Sequence, residues 1–231
     1  MLHCQLRSKS VRRWLSLAAL ICLTLPVLAG PPLICHPLEI GAAQSLPWSG
    51  TDWRAVKRDY DLNRLVPDTL ALLKPETPII VRMETLRRAT MYARWARLDY
   101  KVGYAVKDMK VSDELLARLV ARAREAEARG VKTRADALAL FDAGYLTECY
   151  RQSSQASDHK SAPAYDGYAW VARASQSLGQ SAETEFALAL LLADRPAQKG
   201  IQQAHYRRAL SGANQSALLA RNLEMRKEML Q

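Results

Sequence analysis

From Ile79 onward the apolar residues of this chain recur three and four positions apart, and nowhere do they keep the two-residue rhythm of a strand. Ala and Leu supply most of them, and Phe occurs only twice in 231 residues. That pattern predicts an all-α fold of antiparallel helical hairpins in a short solenoid-like array. Thr77-Pro78 reads as a helix start, with Thr as N-cap and Pro in the first turn, opening a helix to about Tyr100. Its residues are apolar around most of the circumference, which marks it as central. A second helix is expected from Ser112-Asp113 to Gly130, and a third from Thr133-Arg134-Ala135-Asp136, which has the form of a capping box. The stripe Leu138, Phe141, Tyr145 and Cys149 gives that third helix a core face. Beyond a polar, serine-bearing segment from Arg151 to Ala164, four more helices are expected: Tyr165 to Leu178, Ala182 to Ala193, Lys199 to Leu210, and Gln215 to the end, where Asn214 reads as N-cap.

The first 63 residues obey different rules. Arg7, Lys9, Arg12 and Arg13 precede an apolar run from Trp14 to Leu28 that ends Val27-Leu28-Ala29-Gly30, the layout of a secretory leader cleaved after Ala29. The run is broken by Pro26 and is shorter than the roughly 20 residues a membrane span needs. Pro31, Pro32, Pro37 and Pro47 then forbid helix interior. Leu33, Ile34, Leu38, Ile40, Leu46, Trp48 and Trp53 are too apolar for a solvated linker, so residues 30–63 are expected to lie as an extended Pro- and Trp-containing arm across the helices. The resulting plan is a leader at 1–29, the arm at 30–63, a first helical lobe at 64–150 and a second at 165–231, in one continuous domain.

Loss of the leader changes the charge and the cysteines. The whole chain carries 33 bases and 23 acids; four of the bases leave with the leader, so 29 remain against 23 acids, a net of +6. Those bases are interleaved with acids at helical spacings, as on a solvated surface, and no nucleic-acid partner is expected. Cys35 and Cys149 are the cysteines left, and a pair in an oxidising compartment is a disulfide candidate.

Within the second lobe, Tyr168, Ala172, Gly179, Leu188, Leu191 and Pro196 fall where a helical repeat would place an aromatic, a small residue, a turn, a core stripe and a stop. The segment Tyr165 to Pro196 thereby resembles a degenerate tetratricopeptide-type unit of roughly 34 residues, with Ser175 and Thr184 departing from the family's aromatic and alanine. The resemblance implies an interaction scaffold rather than an activity.

Catalytic motifs are missing from the sequence: it has no paired-cysteine metal spacing, no His-Glu-x-x-His, no glycine-rich phosphate loop and no Gly-x-Ser-x-Gly elbow. Neither a metal nor a cofactor is expected. The residues that suggest a binding surface are Glu84, Arg87, Arg88, Tyr92 and Trp95, within about three helical turns, together with Trp48 and Trp53 of the arm. The plainer reading pairs Glu84 with Arg88 on a partly exposed edge and packs the aromatics on the arm. The expected function is an exported, secreted or periplasmic, non-enzymatic helical scaffold that binds a protein or cell-envelope component. The alternative is a small cell-wall or glycan-active enzyme using Glu84, which needs a second carboxylate opposite it.

Overall fold

The computed structural model describes residues 36–53, 55–99, 105–106, 108–153 and 164–230. The leader, Cys35 and most of the serine-bearing segment lie outside the described residues. Those described form an all-α protein: α1 (Leu65–Leu72), α2 (Ile79–Ala93), α3 (Lys110–Ala128), α4 (Arg134–Ser153), α5 (Gly167–Ser177), α6 (Ala182–Leu191), α7 (Lys199–Ser211) and α8 (Ala217–Leu230). Between α2 and α3 a 3-10 turn (Trp95–Arg97) leads into a two-residue antiparallel ladder, β1 (Leu98–Asp99) against β2 (Ala105–Val106).

Helix α2 is the axis of the molecule. Every residue of it except Arg88 is buried, and α1, α4 and α6 all pack on it. Its apolar residues are spread around the circumference, and its buried Arg82, Glu84 and Arg87 are paired, so burial from several directions is a stable placement. It ends at Ala93, short of the expected Tyr100, because the chain tightens into the 3-10 turn that sets Trp95 edge-on to Trp53, ring centroids 4.7 Å apart.

Local signals decide the other boundaries. Thr77 does not cap α2; its hydroxyl donates to the Leu72 carbonyl at 2.8 Å, capping the end of α1, and Pro78 takes the N-cap position. Two orphan helix ends compete for that hydroxyl, and the donor-seeking carbonyl wins. Helix α3 starts at Lys110, earlier than Ser112, with the Asp108 carboxylate accepting from the Lys110 amide at 2.9 Å. It ends at Gly130, whose φ of +83° suits a residue without Cβ. The capping box of α4 is reciprocal: the Asp136 amide donates to Thr133 Oγ1 at 3.1 Å, and the Thr133 amide donates to Asp136 Oδ2 at 3.0 Å. At α8 the cap is Ser216, whose Oγ accepts from the Leu219 amide, and Asn214 sits in a preceding 3-10 turn.

The helices flanking the serine-bearing segment are not set apart. Helices α4 and α5 meet at Gly144 and Gly167, where a Cβ on Gly144 would lie 2.5 Å from the Gly167 carbonyl oxygen. Residues 31–231 accordingly form one unit.

The described residues of the arm, 36–53 and 55–63, lie on the helices. Leu38, Ile40 and Leu46 join the core, while Trp48 and Trp53 are half-buried against it. A single bridge, Trp48 to Val56, folds the arm back on itself before it enters α1.

Candidate functional site: the arm-lined cleft

Helical geometry puts residues three and four apart on one face, so Glu84 of α2 faces Arg87 and Arg88. The Glu84 side chain is fully buried. Its Oε2 accepts from Arg87 Nε at 2.7 Å and from the Leu38 amide at 2.9 Å. Its Oε1 accepts from Arg87 Nη2 at 2.8 Å and from Arg88 Nε at 2.7 Å. Four donors, two of them from a bidentate guanidinium, fill the acceptor sites of a carboxylate. Arg87, only 1% exposed, has in this carboxylate the partner its burial requires. The Glu84–Arg88 pair is present, with Glu84 fully buried beside Arg87 and Arg88 partly exposed at the cleft.

Trp48 of the arm covers this cluster. Arg87 stands 4.6 Å and Arg88 5.6 Å from its ring centroid, and Tyr92 meets it edge-on at 6.2 Å. The Tyr92 hydroxyl donates to the Pro47 carbonyl at 2.6 Å and accepts from the Lys57 amide at 3.0 Å; burial holds its pKa above the usual range. Arg88 Nη1 donates to the Leu46 carbonyl at 2.6 Å. The structure thus gathers Trp48, Glu84, Arg87, Arg88 and Tyr92 into one arrangement. Trp53 and Trp95 form their own edge-on pair beside it.

Sequence reasoning missed the opposite wall, which comes from α8. Asn222 is fully buried and takes the main chain of Glu39 in both directions: the Glu39 amide donates to Asn222 Oδ1 at 3.0 Å, and Asn222 Nδ2 donates to the Glu39 carbonyl at 2.8 Å. One turn on, Arg226 Nη2 donates to the carbonyls of His36 (3.0 Å) and Pro37 (2.7 Å). Burial pushes the Arg226 pKa below the usual guanidinium range, and neighbouring Tyr145 and Glu84 oppose that shift. The only sequence signal for these two is their i,i+4 spacing on the last helix.

Between the arm, α2 and α8 a cleft of about 610 Å³ opens, with Glu39, Trp48, Thr51, Arg88, Met225 and Arg226 among its walls. Met225 stands at its edge, 54% exposed. The cleft walls are largely apolar, with Arg88 and Arg226 as cations, Trp48 as an aromatic ring and Glu39 as the acid among the described lining residues. Its carboxylate accepts from the Gly41 amide at 2.7 Å.

Other buried acids serve as bolts between helices. Glu148 of α4 pairs with Arg151 and with Arg195 and accepts from the Tyr168 amide. Glu185 of α6 pairs with Arg208 at 2.7 Å and with His205 Nδ1 at 2.6 Å, and His205 Nε2 meets the Tyr168 hydroxyl at 2.9 Å, tying α5, α6 and α7 together. Asp142 of α4 pairs with Arg82 at 2.7 Å beside a cavity of about 170 Å³, and burial raises its carboxyl to about 7. Cys149 is buried on α4. Among the described residues no group of three or more His, Cys, Asp or Glu could hold a metal ion, and no helix is long and apolar enough to cross a membrane.

Comparison with known proteins finds no matching family model, no matching curated protein and no matching solved structure.

Proposed function

We propose that this is an exported, non-enzymatic binding protein that receives its partner, a protein or an envelope component, at the arm-lined cleft. One observation carries the reading: an open cleft of about 610 Å³ whose walls combine an aromatic ring, an exposed methionine and two arginines. Trp, Met and Arg are the side chains enriched where proteins bind one another. The leader-like first 29 residues support export. The helix–turn–helix of α5 and α6 supports a scaffold of repeat type: Ser175 and Thr184, the two departures from the tetratricopeptide pattern, hydrogen-bond to each other at 2.7 Å inside it. A glycan-active enzyme working through Glu84 has less support, because that carboxylate is fully buried, saturated by four donors and not part of the cleft wall.

The test is affinity capture from envelope extracts with the wild-type chain and with Thr51→Trp, which fills the cleft from an exposed position. A partner recovered reproducibly by the wild type and lost by Thr51→Trp is expected. Equal recovery by both, or none by either, contradicts the proposal.

A further inference from the structure

Residues 36–40 are held as a bound peptide is held. Leu38 and Ile40 point into the core and Glu39 points away, the period-2 pattern of an extended strand. Beside this apolar burial, α2 and α8 hydrogen-bond the segment through its main chain. Glu84 takes the Leu38 amide, Asn222 takes both the amide and the carbonyl of Glu39, and Arg226 takes the carbonyls of His36 and Pro37. A side-chain amide that pairs with the N–H and C=O of one residue imitates a neighbouring strand, and it does so whatever side chain that residue carries. The recognition asks for two apolar side chains one residue apart on an extended backbone, and nothing more specific.

The seat is also incompletely satisfied. Trp48 Nε1 and Arg226 Nε are buried with no acceptor among the described residues, an unusual cost for groups that only fasten a strap. Gly41, with a φ of +59°, turns the chain at the end of the segment, and Gly41 to Gln44 are exposed between it and the docked Leu46.

We propose that the groove between α2 and α8 is a receptor for an extended partner segment of the pattern apolar-any-apolar, with residues 36–40 as its resident occupant and competitor. This rests on the binding-protein reading and names the partner's chemistry: a polypeptide backbone read by Glu84, Asn222 and Arg226, entering from the adjoining cleft.

The probe is a labelled synthetic peptide of residues 36–43, titrated into the full chain by fluorescence anisotropy. In the wild type the tethered segment competes at an effective concentration on the order of millimolar, so binding is weak. In the full chain carrying Leu38→Asp and Ile40→Asp the competitor is disabled, and binding is expected to tighten by about tenfold or more. Adding Asn222→Ala should abolish that gain. A peptide N-methylated at the Glu39 amide should fail to bind, while one with Glu39→Lys should bind as before. A folded double variant that ignores the peptide, or equal binding of the N-methylated peptide, overturns the proposal. If the double variant does not fold, hydrogen exchange on the wild type decides: millimolar peptide should deprotect the Leu38 and Glu39 amides, and unchanged protection overturns the proposal. A concentration-dependent dimer dissolved by Asn222→Ala would place a second copy's arm in the groove and overturn the assignment to a partner. A cleft-dependent partner captured from extracts alongside a negative peptide result would leave the binding-protein reading standing and remove this one.

Discussion

Gly144 and Gly167 touch backbone to backbone, and the crossing of α4 over α5 depends on both lacking a side chain. A Cβ at Gly144 would also come within 2.9 Å of Val171 Cγ2 and 3.0 Å of Trp170 Cβ, so there is no direction in which it could be accommodated. Ala is the better helix former by about 1 kcal/mol, and on an isolated helix Gly144→Ala would stabilise. Here the clash wins: we expect Gly144→Ala to destabilise by roughly 2 to 3 kcal/mol in urea denaturation. A neutral or stabilising outcome would mean that the helices do not cross at these glycines.

Removing Glu84 tests whether it is structural. Glu84→Ala leaves Arg87 buried without its carboxylate and frees the Leu38 amide, and breaking a buried pair in this way costs roughly 3 to 5 kcal/mol. The predicted outcome is a lower denaturation midpoint. A variant as stable as the wild type would contradict the structural role and return weight to a catalytic one.

Among the arm residues near the cleft, Leu46 is the most deeply buried. It is 1% exposed, whereas Trp48 and Trp53 are only half-buried, so the full-burial expectation for a tryptophan does not apply to either. Leu46→Ala should cost roughly 2 to 4 kcal/mol and Trp53→Ala roughly 1 to 2 kcal/mol. The reverse order in thermal or urea unfolding would show that the arm is seated on its aromatics.

Two carboxyls on α4 give opposite pH signatures. Arg129 and Thr133 hold Asp136 down to about 2, so its contribution is present above the ordinary carboxylate range and is lost as pH falls towards 2. Burial raises Asp142 to about 7, so the folded state favours its protonated form, and stability falls as pH rises from about 4 through 7. Urea midpoints across that upper window should decline more steeply for the wild type than for Asp142→Asn, which cannot ionise. Parallel curves would contradict the assignment.

On the proposal of export, we expect the mature protein to carry a disulfide between Cys35 and Cys149. They are the two cysteines that remain once the leader is removed, and an oxidising compartment favours their pairing. Closing a loop of this length stabilises by roughly 4 to 5 kcal/mol in the chain-entropy model. Alkylation after denaturation without reductant, read by mass spectrometry, should find neither thiol modified; two alkylated thiols on exported material would contradict the bridge.

The helices and the apolar character of the arm were legible because both are written in local apolar patterns: α2 has apolar residues around its circumference, and the arm is too apolar to be solvated. The capping box at Thr133 and Asp136 and the stop at Gly130 were legible for the same reason, since each acts within four residues. Thr77 misled because two helix ends compete for its hydroxyl. Arg87 was not recognisable as a buried residue, since an Arg-Arg pair in sequence looks wet until its carboxylate is known to be buried too. Asn222 and Arg226 were illegible because their partners lie 183 and 190 residues away, beyond any periodicity.

The central claim is that α2 and α8 grip the arm by its main chain, and native-state hydrogen exchange at single amides tests it most directly. The account predicts that the Leu38 and Glu39 amides, bonded to Glu84 and Asn222, are protected in the wild type, and that Asn222→Ala selectively exposes Glu39 while α2 stays protected. Leu38 and Glu39 amides that exchange at the rate of an unstructured peptide in the wild type would contradict it.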